Sequence, residues 1–379
     1  MRIAYVTTYD SNDQLAWSGL GHRIRRSLEE AGAEVTPVGP LSHKYGSYFR
    51  LKRAIHSKLS RRVYVDDREP LLLRHYAREI SRALSETEHD VVFSPGTIPI
   101  AELVTKKPIV FWTDATFDAM LDYYPGFSNL SRASARAGRR MEQNVLRKSR
   151  LALYSSQWAA DSALAHYDVD PGKVKVVPFG ANLDTERTAA DIEGIIARRR
   201  HDPVRLLFIG AEWERKRGDL AADVVRMLNE RGIRAHLHTV GTIPDRPASP
   251  WVTHHGFLAK TQEEGRFLLD SLFAASTFLI LPSSAECCAV VISEASSFGL
   301  PSLVTRVGGN ETMIHDGVNG RAFALTDGPG VYCDFIQRTV ASRPAYEALA
   351  RSSFLEYSAR LNWERSGAEV LALIRTHCA

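Results

Sequence analysis

The sequence predicts an α/β protein built as two Rossmann-like, doubly wound domains facing a cleft. Three observations predict it. Short apolar runs alternate with helix-patterned stretches along the chain. Nearly every apolar run ends in Gly, Ser, Pro or Asp, the residues of a strand-to-helix turn. The alternation restarts near residue 204 after a polar connector, in a chain of 379 residues, which is long enough for two cores.

The first series opens with a buried strand over residues 3–7. A polar loop leads to Trp17-Ser18-Gly19-Leu20-Gly21 and a helix that runs to about Ala31, where Gly32 stops it. Residues 35–38 form the next strand, so the chain begins β-α-β with parallel pairing. Further strands fall at 91–93, before Ser94-Pro95-Gly96, and at 108–112, before Thr113-Asp114. Two more fall at 151–154, before Ser155-Ser156, and at 173–177, before Pro178-Phe179-Gly180. A long basic helix lies near 130–149. Residues 181–203 read as the connector. The second series has strands at 204–209, 235–240, 278–281 and 302–305, with helices at about 218–231, 262–275 and 289–299. The segment 341–377 is helical, with Leu355, Leu361, Trp363, Val370, Leu371 and Ile374 roughly on one face. The expected domains are therefore 1–185 and 186–345, followed by a helix over 346–379.

Composition excludes several classes. Hydrophobic residues make up 44% and charged residues 24% of the chain, which is ordinary globular composition. No apolar run approaches the roughly 20 residues of a membrane-spanning helix, and the N-terminus has no signal-peptide pattern. The four cysteines form no CxxC pair and the histidines no HxxxH or HExxH, so neither a disulfide scaffold nor a metal site is expected. The expected location is cytoplasmic. The net charge of +4 is unevenly placed. Residues 44–62 carry seven basic residues and no acidic one, and residues 132–150 carry seven against Glu142 alone. Solvated helix faces are the plain reading. The sharper one is a phosphorylated acceptor or an anionic membrane surface, which would put the protein peripherally at the inner membrane. Nucleic acid is not expected, because no recognition motif accompanies the charge.

Ligands of doubly wound sheets bind beyond the carboxyl ends of the strands, so the strand ends hold the candidates. Gly19 and Gly21 would let backbone N–H groups approach a phosphate, or form a plain tight turn. The full GxGxxG pattern fails at Ile24, and no acid ends the second strand, which disfavours a dinucleotide cofactor. Gly210 is followed by Glu212, Trp213, Arg215, Lys216 and Arg217, where adjacent cations suit a diphosphate, or else line a solvated loop. Glu286 and Glu294 are eight residues apart and frame Cys287-Cys288-Ala289-Val290-Val291 at the start of a helix. One carboxylate there would chelate a ribose diol; the bland alternative is a pair of structural acids held by partners. Asp114 ends a strand and would bind a sugar hydroxyl or cap the next helix. Gly308-Gly309 form a second glycine loop.

With these residues in view, the chain resembles the retaining GT-B glycosyltransferases of family 4 along nearly its whole length. Glu286 and Glu294 are similar to that family's E-x7-E motif, and Gly210 with Arg215 and Lys216 to its diphosphate loop. The resemblance implies a retaining, metal-independent transfer from a nucleotide-diphosphate sugar to an acceptor, with no cofactor. The first domain would take the acceptor and the second the donor, while the last helix crosses back onto the first. Glu294 would hold the ribose, and Glu286 the transferred sugar. Arg215 and Lys216 would hold the leaving diphosphate, with Gly19 and Gly21 approaching it. Backbone amides of Cys288, Ala289, Val290 and Val291 would contact sugar and diphosphate. Gly241, Phe257 and Leu258 would lie near the base, and Asp114 near the sugar. Asp114 stands where the family often has histidine, Ala289 and Arg217 where it often has glycine, and Ala211 where it often has arginine. Polysaccharide, glycolipid or glycoconjugate assembly is the expected setting. The alternatives are a nucleotide-sugar epimerase or hydrolase of the same fold, and a non-catalytic nucleotide-sugar-binding partner.

Overall fold

In the computed structural model, residues 1–184, 186–242, 244 and 249–378 are described; Thr185, at the expected domain boundary, and Ala379 lie outside them. The chain forms two units, Met1–Pro178 with Trp363–Ala379, and Phe179–Asn362.

The first unit holds a six-stranded sheet of β1 (Arg2–Val6), β2 (Glu34–Val38), β3 (Val91–Ser94), β4 (Ile109–Thr113), β5 (Leu151–Tyr154) and β6 (Val174–Val176). Every pairing is parallel, in the order β2-β1-β3-β4-β5-β6. β3, β4 and β5 are buried along their whole length, because helices cover both faces of a parallel sheet. The helices are α1 (Leu20–Glu30), α2 (Gly46–Ser60), α3 (Pro70–Ser85), the short α4 (Phe117–Met120), α5 (Arg132–Lys148) and α6 (Gln157–His166).

The second unit opens with α7 (Ala189–Arg198). Its sheet contains β7 (Val204–Ile209), β8 (Ala235–Val240), β9 (Val252–His254), β10 (Phe278–Leu281), β11 (Ser302–Thr305) and β12 (Gly320–Phe323). Its helices continue with α8 (Gly218–Glu230), α9 (Glu263–Ala275), α10 (Val291–Ser296), α11 (Asn310–Met313), α12 (Pro329–Val340) and α13 (Arg343–Arg360). α8 shows why such segments are helical. Leu220, Ala221, Val224, Val225 and Leu228 recur at helical spacing and are all buried. They join a core with Leu206, Phe208, Ile280 and Tyr332, while Leu207, Leu279, Phe273 and Ile292 build the core of the other sheet face.

All strands of this sheet are parallel, in the order β12-β11-β10-β7-β8-β9. Counted from β7, that is the doubly wound order in which the chain turns back beside its first strand. The reversal lies between β7 and β10, so the crevice beyond their carboxyl ends is where this unit should bind a ligand.

The helical segment at 341–377 is two helices rather than one. α13 stays in the second unit, and α14 (Trp363–Cys378) belongs to the first, against α1. Asn362 ends α13, its amide donating to the carbonyls of Tyr357 and Ser358 at 2.9 and 3.1 Å. Leu355 is exposed, whereas Trp363, Val370, Leu371 and Ile374 are buried, with the Trp363 ring 5.8 Å from Trp112.

Candidate functional site

The switch point of the second unit brings the sequence candidates together. β7 ends at Ile209, and residues 210–217 loop into α8. Trp213 anchors that loop: it is buried, and its ring lies 5.3 Å from Phe208. On the neighbouring strand, β10 ends at Leu281, followed by a loop that carries Ser283 and Glu286. The two loops are tied together. The Ser284 N–H and Oγ both donate to the Arg215 carbonyl, at 2.8 and 2.9 Å. Arg215 returns a bond to the Ala285 carbonyl at 2.5 Å.

Glu286 sits at the centre of this knot, 5% exposed. Its Oε1 lies 2.9 Å from Lys216 Nζ and 3.1 Å from Arg215 Nη1, and accepts from Ser283 Oγ at 2.9 Å. Burial pushes the carboxyl up. The charges of Lys216 and Arg215, with hydrogen bonds from Lys216 and Ser283, outweigh it and hold Glu286 below the usual carboxylate value. Arg215 is also paired with the exposed Glu212, its Nε donating at 2.6 Å.

Glycine makes the arrangement sterically feasible at two strand ends. Lys216 lies across Gly210, where a Cβ would stand 2.0 Å from the lysine Cδ. Gly241, at the end of β8, has φ +117°, and a Cβ there would stand 2.1 Å from the Gly210 carbonyl oxygen. The Gly241 N–H donates to the Gly256 carbonyl at 2.8 Å, which draws the segment of Phe257 and Leu258 to the same edge. Phe257 is exposed; Leu258 packs on the core.

The helix expected over 289–299 is shorter and starts later. α10 begins at Val291 and has six residues, because the stretch after Glu286 is a bent loop whose backbone angles are helical by Val290. Glu286 therefore precedes the helix rather than opening it. Cys288, Ala289 and Val290 lie in the approach to α10, and Cys288 Sγ lies 3.8 Å from Met313 Sδ. Glu294 is on α10 itself, 3% exposed and paired with Lys260. Lys260 is absent from the sequence candidates; it stands 34 residues before its partner, and no spacing rule connects them.

The first unit gathers a second set at the end of β1. Gly19 is the left-handed N-cap of α1, and the Gly21 carbonyl accepts from the Tyr5 hydroxyl at 2.6 Å. Tyr9 crosses Gly21, where a Cβ would stand 2.1 Å from the phenol oxygen. Burial, then the charge of Asp114, raises the Tyr9 hydroxyl pKa, so Gly21, Tyr9 and Asp114 share one neighbourhood. Asp114 is not the cap of the helix that follows. Thr116 takes that role in α4, accepting from the Ala119 N–H. Tyr9 is a second residue that the sequence reading did not include. Among the described residues, no group of three His, Cys, Asp or Glu side chains could hold a metal ion.

Residues 203–341 match the family described as "Glycosyl transferases group 1", and residues 22–185 match "Glycosyltransferase Family 4". The D-inositol 3-phosphate glycosyltransferase of Geodermatophilus obscurus is 31% identical over 251 residues, 59% of this chain and 52% of that protein. The protein of the same name from Kribbella flavida is 26% identical over 254 residues, 62% of this chain and 58% of that one. The chain thus spans little more than half the length of these relatives. Among solved structures, the sucrose-phosphate synthase of Thermosynechococcus elongatus superposes with a TM-score of 0.70 at 14% identity, covering 99% of this chain and 98% of that one. Anabaena HepE in complex with UDP-glucose gives 0.66 at 15%, covering 99% and 100%. Both likenesses establish the two-unit GT-B fold.

Proposed function

Since the chain belongs to the family 4, group 1 glycosyltransferases, we propose that it moves a sugar from a nucleotide-diphosphate sugar to an acceptor, with retention. The observation that carries this reading is the buried Glu286 held by Lys216 and Arg215 at the switch point of the second unit. Two cations beside a buried carboxylate suit a sugar diphosphate: the cations take the diphosphate, and the carboxylate, an acceptor only, takes sugar hydroxyl protons. Glu294, buried on α10, takes the ribose diol. Tyr9 and Asp114 are the polar groups of the first unit proposed to meet the acceptor.

In the proposed reaction the bond from the anomeric carbon to the diphosphate oxygen breaks, and a bond to the acceptor oxygen forms on the same face. The acceptor proton goes to the leaving phosphate, so no protein nucleophile is required. Arg215 and Lys216 supply the countercharge as the diphosphate departs, which makes the reaction independent of divalent metal. Activity lost in chelator and restored by Mg²⁺ or Mn²⁺ would overturn that point.

A phosphate-bearing acceptor is favoured by the relatives, whose names specify inositol 3-phosphate. Membrane contact is favoured by α2. Tyr48, Leu51 and Ile55 are exposed on it at helical spacing, beside the exposed Arg50 and Lys58. Lys52 and Arg53 are engaged by Glu69 and Asp66. Binding to anionic vesicles should therefore weaken in Arg50→Gln/Lys58→Gln; unchanged binding would remove α2 from the contact.

The decisive test is thermal unfolding with UDP, GDP, ADP and dTDP and their sugars, on the wild type and Glu294→Ala. A ligand at 100 times its Kd stabilises by about 2.7 kcal/mol. One nucleotide should raise the wild type's Tm and not the variant's. No shift with any nucleotide, confirmed by calorimetry, would refute the reading. Products formed without acceptor would point to the epimerase or hydrolase alternative.

A further inference from the structure

We propose that the second unit carries another anion site, for the phosphate group of a small molecule, at the end of its sheet opposite the switch point. A recess of about 630 Å³ opens there, within the usual range of small-molecule sites. It is lined by Arg198, Arg199 and Arg200 where α7 runs out before β7, by Arg205 at the start of β7, by His238 on β8, and by the end of α9. The arginines and the end of α9 lie at or before the amino ends of β7 and β10, with His238 midway along β8, whereas Gly210, Lys216 and Glu286 lie beyond the carboxyl ends.

The charge balance of the recess is unlike that of the rest of the unit. Most other arginines of the unit are held by carboxylates, as Arg187 by Asp270, Arg234 by Asp202 and Arg351 by Glu193, whereas Arg217 and Arg338 donate to the carbonyls of Leu325 and Asp334. Among the described residues, Arg198, Arg199, Arg200 and Arg205 have no carboxylate within ion-pair distance. Arg199 is buried and spends its donors on neutral oxygens. It reaches the Ala274 carbonyl at 3.1 Å, Gly299 at 2.6 Å, Phe298 at 2.9 Å and the Tyr346 hydroxyl at 3.2 Å. It therefore adds a fixed positive charge to the wall without a counterion. Arg198 and Arg200 are exposed and Arg205 half-buried, so their guanidinium forks remain able to turn toward a ligand. His238 is held down at about 4 by burial and by His236, His255 and Arg205, so it is neutral at physiological pH and adds a hydrogen-bonding group rather than charge. Its Nδ1 lies 3.1 Å from His255 Nε2.

Four arginines lining one recess without a carboxylate partner make a region of positive potential, and the forks of Arg198, Arg200 and Arg205 match phosphate oxygens. The apolar part of the wall, Ile195 and Leu272, limits the ligand to one with a compact charged end. Because the site does not overlap Lys216 or Glu286, the ligand would be bound together with the donor, and the proposal does not depend on what the switch point binds.

Inorganic pyrophosphate, titrated calorimetrically at low salt, is the probe. The full-length proteins are wild type, Lys216→Gln, Arg205→Gln and Arg198→Gln/Arg200→Gln, the last altering only exposed side chains in case Arg205→Gln fails to fold. Lys216→Gln should keep one pyrophosphate site. Adding the Arg198 and Arg200 changes to Lys216→Gln should weaken that site about tenfold or more, as loss of charge-assisted bonds requires. Vesicles of phosphatidylglycerol and of phosphatidylcholine separate the sources of the phosphate. Pyrophosphate binding without vesicle binding identifies a soluble ligand, and arginine-dependent binding to the anionic vesicles identifies a headgroup. Lys216→Gln protein that binds no pyrophosphate, or binds it equally with and without the arginines, overturns the proposal.

Discussion

Replacing Lys216 by Met isolates what holds Glu286 in place. The ammonium and the carboxylate are 13% and 7% exposed and 2.9 Å apart, so solvent screens them little. Removing one partner of such a pair costs about 3–5 kcal/mol when the other is left uncompensated. Here Arg215 Nη1 and Ser283 Oγ remain on the same carboxylate oxygen, so about 2–3 kcal/mol is expected. For a unit of this size each kcal/mol is worth about 2–4 °C, giving a Tm fall of about 4–12 °C. The variant Lys216→Met/Glu286→Gln removes both charges and should recover most of that loss, while neither variant binds nucleotide sugar with wild-type affinity. Thermal unfolding of the four corners of the cycle gives the coupling directly. The pH dependence adds a sign. In the wild type Glu286 lies below its unfolded value, so it contributes stability above the usual carboxylate range that is lost as the pH falls through its folded value. In Lys216→Met burial dominates, the carboxyl rises, and stability is lost as the pH rises instead. If the single and double variants melt together, or the sign does not invert, the buried pair is not what organises this site.

Two further predictions concern groups outside that pair. Glu142 is buried on α5 and accepts from Thr97 Oγ1 at 2.9 Å, and burial pushes its carboxyl up to about 7. Its contribution is therefore complete below about 4.5 and is lost as the pH rises toward 7, at a cost of about 3 kcal/mol; Glu142→Gln should match wild type at pH 4.5 and exceed its stability at pH 8, which unfolding at both pH values checks. Gly241→Ala should cost more than about 2 kcal/mol, because φ +117° and the Gly210 carbonyl oxygen leave a Cβ no room. Gly210→Ala meets only the flexible Lys216 chain, so it should cost less stability but loosen Lys216 from Glu286 and weaken donor binding. Similar stability losses in the two glycine variants would contradict that distinction.

The sequence made the buried strands legible because a parallel sheet covered on both faces needs unbroken apolar runs, as at Phe278–Leu281. It hid β9 and β12 for the converse reason. Val252–His254 and Gly320–Phe323 are edge strands carrying polar residues such as Thr253 and Arg321, and no run marks them. The spacing of Glu286 and Glu294 was readable, but their partners were not. Lys216 is 70 residues from Glu286 in sequence, and Lys260 is 34 from Glu294. Only the winding of β7 beside β10 brings the first pair together. Apolar residues at 289–292 fit either a helix or a turn leading into one, so their spacing places the start of α10 two residues early. At the other end, apolar spacing carried the helical reading through Leu361 and Trp363 and missed the stop made by Asn362, whose side chain occupies the last carbonyls of α13.

The source of countercharge follows from the same local structure. α10 has six residues and no side-chain cap at its N-terminus, so few aligned peptide dipoles point at the loop before it. α8 begins with Asp219 in its first turn, which offsets the positive end of that helix. Neither helix end alone is suited to a diphosphate, and on the proposed reading the burden falls on Arg215 and Lys216. Those two cations are matched by two carboxylates, Glu286 and Glu212. The carboxylates are not equivalent: Glu286 is buried and shared, whereas Glu212 is 58% exposed and holds Arg215 alone. On the proposed reading a diphosphate would displace the exposed Glu212 more readily than the buried Glu286 and take over the arginine fork. Glu286 cannot be displaced without leaving a charge buried, so on the same reading it would stay to meet sugar hydroxyls, and the two acids would divide their roles by burial.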